Sequence, residues 1–194
     1  MDTPVLPLSR IEAVVIGASA GGVDALLSLL SALPAGVPPA VLGVVHGPPD
    51  QPSGIAALLD QRCALPVTEA LDKQPVPSGA VVFAPPNYHL LVEPARTLAL
   101  SIDAPVRYSR PAIDPLFESA SIAYGAQLLA LLLTGGSDDG SEGLAAVRSR
   151  GGTAWVQDPA TAVASTMPAS GIASAGADAV LSIERMARSL AALT

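Results

Sequence analysis

The sequence predicts an α/β protein: a doubly wound, mostly parallel sheet with helices on both faces and a small antiparallel hairpin. Two observations predict this class. Short apolar runs typical of buried strands alternate along almost the whole chain with segments whose apolar residues recur at helical spacing. Half of the 194 residues are apolar but only 3% are aromatic, so we expect closely packed layers of Ala, Val, Leu and Ile side chains.

The first half of the chain begins this alternation. Residues 13–19 form a continuous apolar run that ends in a turn signal, which predicts a strand buried on both faces. Residues 23–33 carry leucines at helical spacing and stop before Pro34, which predicts a helix. The same criteria predict further strands at 40–46, 67–70 and 80–84, and a helix at 53–61.

The second half continues the pattern after a predicted hairpin, in which "HLLVE" (89–93) pairs with "TLALS" (97–101). The most hydrophobic strand is predicted at 127–136. The remaining predicted elements are helices at 113–124, 140–149 and 183–193 and a strand at 153–157.

Composition limits the partners and the compartment. The net charge of −7 and the lack of a Lys/Arg cluster argue against a nucleic-acid partner. Cys63 is the only cysteine, which excludes an internal disulfide and a cysteine-based zinc site, and we expect it to be buried and inert. We expect no metal and no cofactor.

The N-terminus lacks the features of a signal peptide, and no apolar run is long enough to span a membrane. We therefore expect a cytoplasmic protein without direct membrane insertion. Residues 1–10 are predicted to be a loose lead-in, and residues 11–194 a single domain.

Ser19 lies in "GASAG" (17–21), which matches the G-x-S-x-G turn that exposes a serine nucleophile between a strand and a helix. Two alternatives stay open at this point. The turn could bind a phosphate at the helix N-terminus, although it is not a G-x-G-x-x-G dinucleotide motif. The small residues could also simply let strand and helix pack closely.

The chain has only two histidines, and a serine needs a base to become a nucleophile. His46 ends the second predicted strand, so its side chain is expected at the same sheet edge as Ser19, although a structural imidazole is an equal alternative. His89 begins the hairpin, away from these strand ends, and is interpreted as a surface or structural residue.

A catalytic histidine also needs an orienting carboxylate, and "TGGSDDGSEG" (134–143) offers Asp138 and Asp139 after a buried strand. Asp139 and Glu142 also have the spacing of a capping box for the following helix. The acidic stretch lacks the ligand spacing of an EF-hand loop. The order Ser, His, Asp differs from the Ser, Asp, His order of α/β-hydrolases and disfavours that fold.

The sequence resembles the catalytic domain of the CheB protein-glutamate methylesterases of chemotaxis, in order and over almost the whole chain. The segments that carry the resemblance are "IGASAGG" (16–22), "VVHGPP" (44–49), "VFAPPNYHLLVE" (82–93), "RYSRPAIDPLFESA" (107–120), "LLLTGGSDDGSEGL" (131–144) and "QDPATAVASTMP" (157–168).

The resemblance implies that Ser19 is the nucleophile, His46 the general base and Asp139 the orienting carboxylate, because the family's Asp directly precedes the glycine found here as Gly140. It implies hydrolysis of glutamate γ-methyl esters on the cytoplasmic helices of methyl-accepting chemoreceptors, and in some members glutamine deamidation.

The sequence departs from the family at the predicted oxyanion site. Ala20 stands where the family often has Thr, and Gly136 where it often has Met; we assign the oxyanion role to their backbone amides. Family members also commonly carry an N-terminal receiver domain, and only about ten residues precede the first strand here, so control by phosphorylation within this chain is not expected.

An acidic enzyme gains no long-range attraction to acidic receptor helices, so recognition is expected to be local. Arg107 and Arg110 are the candidate substrate-binding residues, with solvated surface arginines as the equal alternative. Two other functions remain as hypotheses: a nucleotide-binding module, and a non-catalytic scaffold in a chemosensory-type pathway.

Overall fold

A seven-stranded parallel sheet forms the centre of the computed structural model, which describes residues 10–48 and 54–193. Its strand order is β3-β4-β2-β1-β7-β8-β9, and β5 and β6 form a separate antiparallel pair. The strands are β1 (Ala13–Ala18), β2 (Ala40–Val45), β3 (Val67–Glu69), β4 (Val81–Phe83), β5 (His89–Val92), β6 (Leu98–Ser101), β7 (Leu128–Leu132), β8 (Thr153–Gln157) and β9 (Ala179–Leu181).

Helices cover both faces of this sheet, as the alternating sequence predicts. The helices are α1 (Gly22–Leu30), α2 (Ile55–Asp60), α3 (Ile113–Tyr124), α4 (Ser141–Ser149), α5 (Thr166–Ala175) and α6 (Ile183–Leu190). One apolar core lies between the sheet and α1, α2 and α6; the other lies between the sheet and α3, α4, α5 and the hairpin. The predicted α/β class, including the hairpin, is confirmed.

Strand β1 lies at the point where the strand order reverses. Its neighbours are β2 and β7, and all three run parallel, so their carboxyl ends meet at one edge. In doubly wound sheets this reversal leaves a crevice in which ligands bind. The residues that directly follow β1, β2 and β7 therefore lie at this crevice.

Two elements were not predicted from the sequence. Helix α5 has Pro168 in its first turn, where the backbone N–H has no helical partner to lose, and it lacks a strong apolar stripe. Strand β9 has only three residues, at the edge of the sheet. The strand predicted at 127–136 was too long, because β7 ends at Leu132 and the chain turns into a loop.

The described part of the chain includes no helix that is both long and apolar enough to cross a membrane. Residues 1–9 of the predicted lead-in and residue 53 of the predicted second helix lie outside the described residues.

Candidate active site

Ser19 stands at the first position after β1, in a sharp turn into α1. Its backbone N–H donates to the Thr134 carbonyl at 2.9 Å, and its carbonyl accepts from the Gly22 N–H at 2.7 Å. Gly21 has φ +76°, and a Cβ atom there would lie 2.6 Å from Val163 Cβ. The turn therefore requires glycine at position 21, for both conformation and space.

Thr134, in the loop after β7, braces this turn and is itself held by Gln157 of β8; sequence analysis missed both. The buried Thr134 hydroxyl donates to the Ala20 carbonyl at 2.8 Å and accepts from the Ala164 N–H at 2.9 Å. Gln157 Oε1 accepts from the Thr134 N–H at 2.9 Å. The signal available in the sequence was a polar residue at the end of each of two neighbouring apolar strand segments, because a polar side chain buried there needs a hydrogen-bond partner.

His46 directly follows β2, next to the Ser19 turn. Ala18 is the register partner of Val45, and the His46 N–H donates to the Ala18 carbonyl at 3.1 Å. The side chain is 11% exposed, and its Nε2 lies 2.6 Å from Asp139 Oδ2. A proton on Nε2 donates to this carboxylate, which leaves Nδ1 as the ring nitrogen with a free lone pair.

Asp139 is fully buried and accepts hydrogen bonds from three donors. Besides His46, the backbone N–H of Ile113 donates to Oδ2 at 2.7 Å and that of Asp114 to Oδ1 at 3.0 Å. Burial alone raises the pKa of Asp139, but these hydrogen bonds outweigh burial and lower the pKa below its ordinary value. The carboxylate is therefore held in its charged form beside the imidazole.

The predicted capping box of α4 is wrong. The N-cap of α4 is Gly140, with φ +94° and no side-chain cap. Asp139 instead receives the first free N–H groups of α3, a different helix, where the helix dipole favours a negative charge. Sequence spacing reports only on the helix that follows, so it could not reveal this contact.

Ser19 and His46 lie at the same sheet edge, but the Ser19 hydroxyl makes no hydrogen bond with any residue that the structure describes. Contacts between nucleophile and base are often looser before substrate binds. The structure thus joins His46 directly to Asp139 and brings Ser19 to the adjacent strand end.

The predicted oxyanion donors are Ala20, in the Ser19 turn, and Gly136, in the loop after β7. Ala20 and Gly136 are exposed, and their backbone N–H groups donate to no acceptor within residues 10–48 and 54–193. A Cβ at Gly136 would meet nothing within 4 Å. Both amides are therefore available to a ligand.

An apolar cavity of about 260 Å³ adjoins His46. It is lined by Val23, Val45, His46, Gly47, Pro48, Ile55, Phe83, Ala84, Pro86 and Pro111. Ser19 is not among these lining residues, whereas His46 is.

Both predicted substrate-binding arginines have partners within the protein. Arg107 pairs with Asp138 at 2.9 Å and with Glu142 at 3.0 Å. Arg110 donates to Asn87 Oδ1 and to the carbonyls of Ile102 and Asp103. These contacts tie loops together near the site, and a substrate-binding role for the two arginines stays a prediction.

The second histidine and the cysteine lie apart from this constellation. His89 is buried, with its ring between the Ala104 carbonyl at 3.1 Å and the Ala112 N–H at 3.2 Å, so the structural alternative is correct and the surface one is wrong. Cys63 is partly buried, and burial, aided by Asp60, raises the pKa of its thiol. The described residues contain no group of His, Cys, Asp and Glu side chains suited to hold a metal ion.

The family model for the CheB methylesterase matches residues 14–190, which include Ser19, His46 and Asp139. The chain belongs to the CheB methylesterase family. A structure of the CheB methylesterase catalytic domain from Thermotoga maritima superposes with a TM-score of 0.89 at 33% identity, over 95% of this chain and 99% of that one.

Curated relatives of the CheB family are similar to this chain in sequence. A putative protein-glutamate methylesterase/protein-glutamine glutaminase of Leptospira interrogans is 43% identical over 178 residues, which are 91% of each chain. Relatives named protein-glutamate methylesterase/protein-glutamine glutaminase 2 are longer: that of Pseudomonas aeruginosa is 38% identical over 97% of this chain and 56% of its own, and that of Rhodospirillum rubrum 39% over 89% and 48%. This chain therefore corresponds to about half of the longer relatives.

Proposed function

We propose that this protein hydrolyses γ-methyl esters of protein glutamate to glutamate and methanol, with Ser19 as nucleophile, His46 as general base and Asp139 as orienting carboxylate. The observation that carries the proposal is the 2.6 Å hydrogen bond between His46 Nε2 and the buried Asp139, directly beside the Ser19 turn. Family membership and the names of the relatives agree with this chemistry.

The reaction would proceed by acyl transfer in two steps. The Ser19 hydroxyl oxygen attacks the ester carbonyl while His46 Nδ1 takes its proton, and the imidazolium then gives that proton to the departing methoxide, which leaves as methanol. Water, deprotonated by the same nitrogen, cleaves the acyl–serine ester to release glutamate and restore the hydroxyl. Asp139 steadies the imidazolium in both steps through its charged hydrogen bond.

The tetrahedral intermediate carries a negative oxygen, which the backbone amides of Ala20 and Gly136 would stabilise. Both amides donate to no described acceptor; Ala20 directly follows Ser19 in its turn, and Gly136 lies in the loop after β7. One such donor typically contributes about 10²- to 10³-fold to turnover. Side chains at these positions are not needed for this role, so Ala20 and Gly136 are compatible with it.

The substrate protein in this proposal is the cytoplasmic helical region of a methyl-accepting chemoreceptor, which places the enzyme in the cytoplasm and in chemotactic or chemosensory adaptation. Recognition would be local, because the chain has a net charge of −7 and the substrate helix is acidic. Arg107 and Arg110 are proposed to contribute through the loops that they hold beside the site, with a direct substrate contact requiring them to leave their present partners.

Methanol release from receptor membranes methylated in vitro tests the proposal. Ser19→Ala should lower turnover about 10⁴-fold or more while changing the free energy of unfolding by at most about 1 kcal/mol. Ser28→Ala, on an exposed position of α1, is the matched control and should behave as the parent. Undiminished methanol release by Ser19→Ala would exclude the mechanism.

Glutamine deamidation is a second candidate activity, because the relatives' names include protein-glutamine glutaminase. The same acyl–serine chemistry applies, with ammonia leaving in place of methanol. Ammonia release from an unmethylated receptor fragment, again compared with Ser19→Ala, measures it. Tight nucleotide binding without either activity would instead favour a binding module.

A further inference from the structure

Asp114, the second residue of α3, places a second buried carboxyl group beside Asp139, with only 4% of the residue exposed. Its backbone N–H donates to Asp139 Oδ1 at 3.0 Å, and its own Oδ1 accepts from the Gly143 N–H at 2.7 Å. One residue therefore bonds both to the orienting carboxylate and to the first turn of α4. The mechanism proposed above assigns no role to Asp114.

The two helix N-termini meet closely at this point. A Cβ on Gly143 would lie 2.6 Å from Phe117 Cβ and 3.1 Å from Asp114 Cα. Asp139 lies in the loop that enters α4, two residues before Ser141. Any loosening between α3 and α4 would therefore move Asp139 and, through it, the imidazole of His46.

Charged groups on three other segments act on Asp114: Asp139 in the loop before α4, Glu142 in α4, and Arg107 in the turn at residues 106–109. The Arg107 Nε lies 4.0 Å from Asp114 Oδ2 while the same guanidinium pairs with Asp138 and Glu142. Asp114 Oδ2 is buried and has no hydrogen-bond partner within the described part of the chain.

We propose that Asp114 is a positioning residue that locks the N-terminal turns of α3 and α4 together and so holds the Asp139 carboxylate against His46. The proposal rests on the proposed function for its kinetic consequences, but its structural consequence is independent of any activity.

Burial raises the pKa of Asp114 to about 7, and the neighbouring Asp139 charge adds to this against the opposing Gly143 hydrogen bond. Protonated and ionised forms are therefore both present near neutral pH. Asp114→Asn keeps an acceptor oxygen for the Gly143 N–H but never ionises.

The experiment compares Asp114→Ala and Asp114→Asn with the parent full chain, using a peptide with a glutamate γ-methyl ester. Asp114→Ala leaves the buried Gly143 N–H unpaired, so we expect kcat to fall about 10- to 100-fold with KM within about twofold. Asp114→Asn should restore kcat to within about threefold of the parent. Equal kcat in all three proteins would overturn the positioning role.

NMR of the histidine ring N–H protons supplies a readout that does not depend on activity. In Asp114→Ala the resonance of the His46 Nε2–H, which is hydrogen-bonded to Asp139, should shift and broaden because the carboxylate is held less firmly, and Asp114→Asn should restore it. The ring of His89, which is held by Ala104 and Ala112, serves as the internal control and should be unchanged. An unchanged His46 resonance in Asp114→Ala would overturn the positioning role.

These readouts separate the two proposals. If the parent releases no methanol in a Ser19-dependent manner, the proposed function fails, while the His46 Nε2–H resonance still decides whether Asp114 positions the Asp139 carboxylate. If Asp114→Ala is poorly folded, Asp114→Ser, whose shorter side chain weakens the bond to the Gly143 N–H, replaces it in both measurements. A loss of kcat that only follows the folded fraction would reduce Asp114 to a structural role and overturn the proposal.

Discussion

His46 and Asp139 are joined by a 2.6 Å hydrogen bond although 93 positions separate them in the chain. The bond connects the end of β2 with the loop after β7, across the two sides of β1. Because parallel strands share one carboxyl edge, this contact brings imidazole and carboxylate together at the residue where β1 presents Ser19.

Replacing Asp139 and Asp138 one at a time tests which of the two is the orienting carboxylate. Asp139→Asn removes the charge that stabilises the imidazolium and donates to a ring nitrogen that should itself be a donor, so kcat/KM should fall about 10³- to 10⁴-fold. Asp138→Asn, whose side chain is 52% exposed and pairs with Arg107, is the matched control and should change activity less than about threefold. Steady-state methanol release measures both, and equal effects would refute the choice of Asp139.

The Ser19 turn should be intolerant of any side chain at Gly21. Gly21→Ala must accept φ +76° and a contact with Val163 Cβ at 2.6 Å, so either the turn or Val163 has to move. Gly36→Ala has a similar φ of +87° but nothing within 4 Å, and it isolates the conformational cost. Urea unfolding should show the larger destabilisation at position 21, with activity lost only there. Comparable stability and activity in the two variants would contradict the crowding at Val163.

The Thr134 hydroxyl should contribute to both stability and turnover. Thr134→Val keeps the shape but leaves the buried Ala164 N–H and the Ala20 carbonyl without their hydroxyl partner, at a cost of about 1 to 3 kcal/mol. The loop with Ala20 should also move, which lowers kcat. Thr68→Val, at an exposed position of strand β3, is the control, and its free energy of unfolding should stay within about 0.5 kcal/mol of the parent. Denaturant unfolding and steady-state kinetics measure both effects. Equal stability and equal kcat in Thr134→Val and Thr68→Val would contradict a role for the Thr134 hydroxyl.

The stability of the fold should depend on pH through Asp114. The pKa of this group is about 7 in the folded protein, mainly because of burial, against an ordinary value of 3.8. Between these values the folded state binds the proton more tightly, so the contribution of Asp114 is fully present at low pH and is lost as pH rises towards and through 7. Asp114→Asn lacks this loss, and its Tm relative to the parent should therefore increase from pH 5 to pH 8. Asp24→Asn, at an exposed position of α1, controls for the loss of one charge, and a pH-independent difference for Asp114→Asn would contradict the expectation.

Much of the fold could be predicted because its signals are local. The prediction for α3 matches its bounds, and the strand predicted at 153–157 is β8, since in both places hydrophobic periodicity and flanking turn residues agree. Helix α5 was missed because it lacks a strong apolar stripe: its buried residues are Met167, Pro168 and Gly171, and Gly171 packs against Leu132, where a Cβ would lie 2.6 Å from that side chain. Such a fit depends on a partner strand more than 30 positions away and leaves no periodic pattern.

The sequence by itself determined the alternation of strands and helices, the turn that contains Ser19, and the candidates His46, Asp138 and Asp139, because short patterns of polarity, glycine and spacing encode all of these. The resemblance to the CheB family then selected Asp139 over Asp138. Only the tertiary structure decided that Asp139 binds the N-terminus of α3 instead of capping α4, that Arg107 and Arg110 bind loops within the protein, and that Thr134, Gln157 and Asp114 support the site. The physical reason is that a buried hydrogen-bonding group takes whichever partner the packing of distant elements brings within about 3 Å, and position along the chain carries no record of that choice.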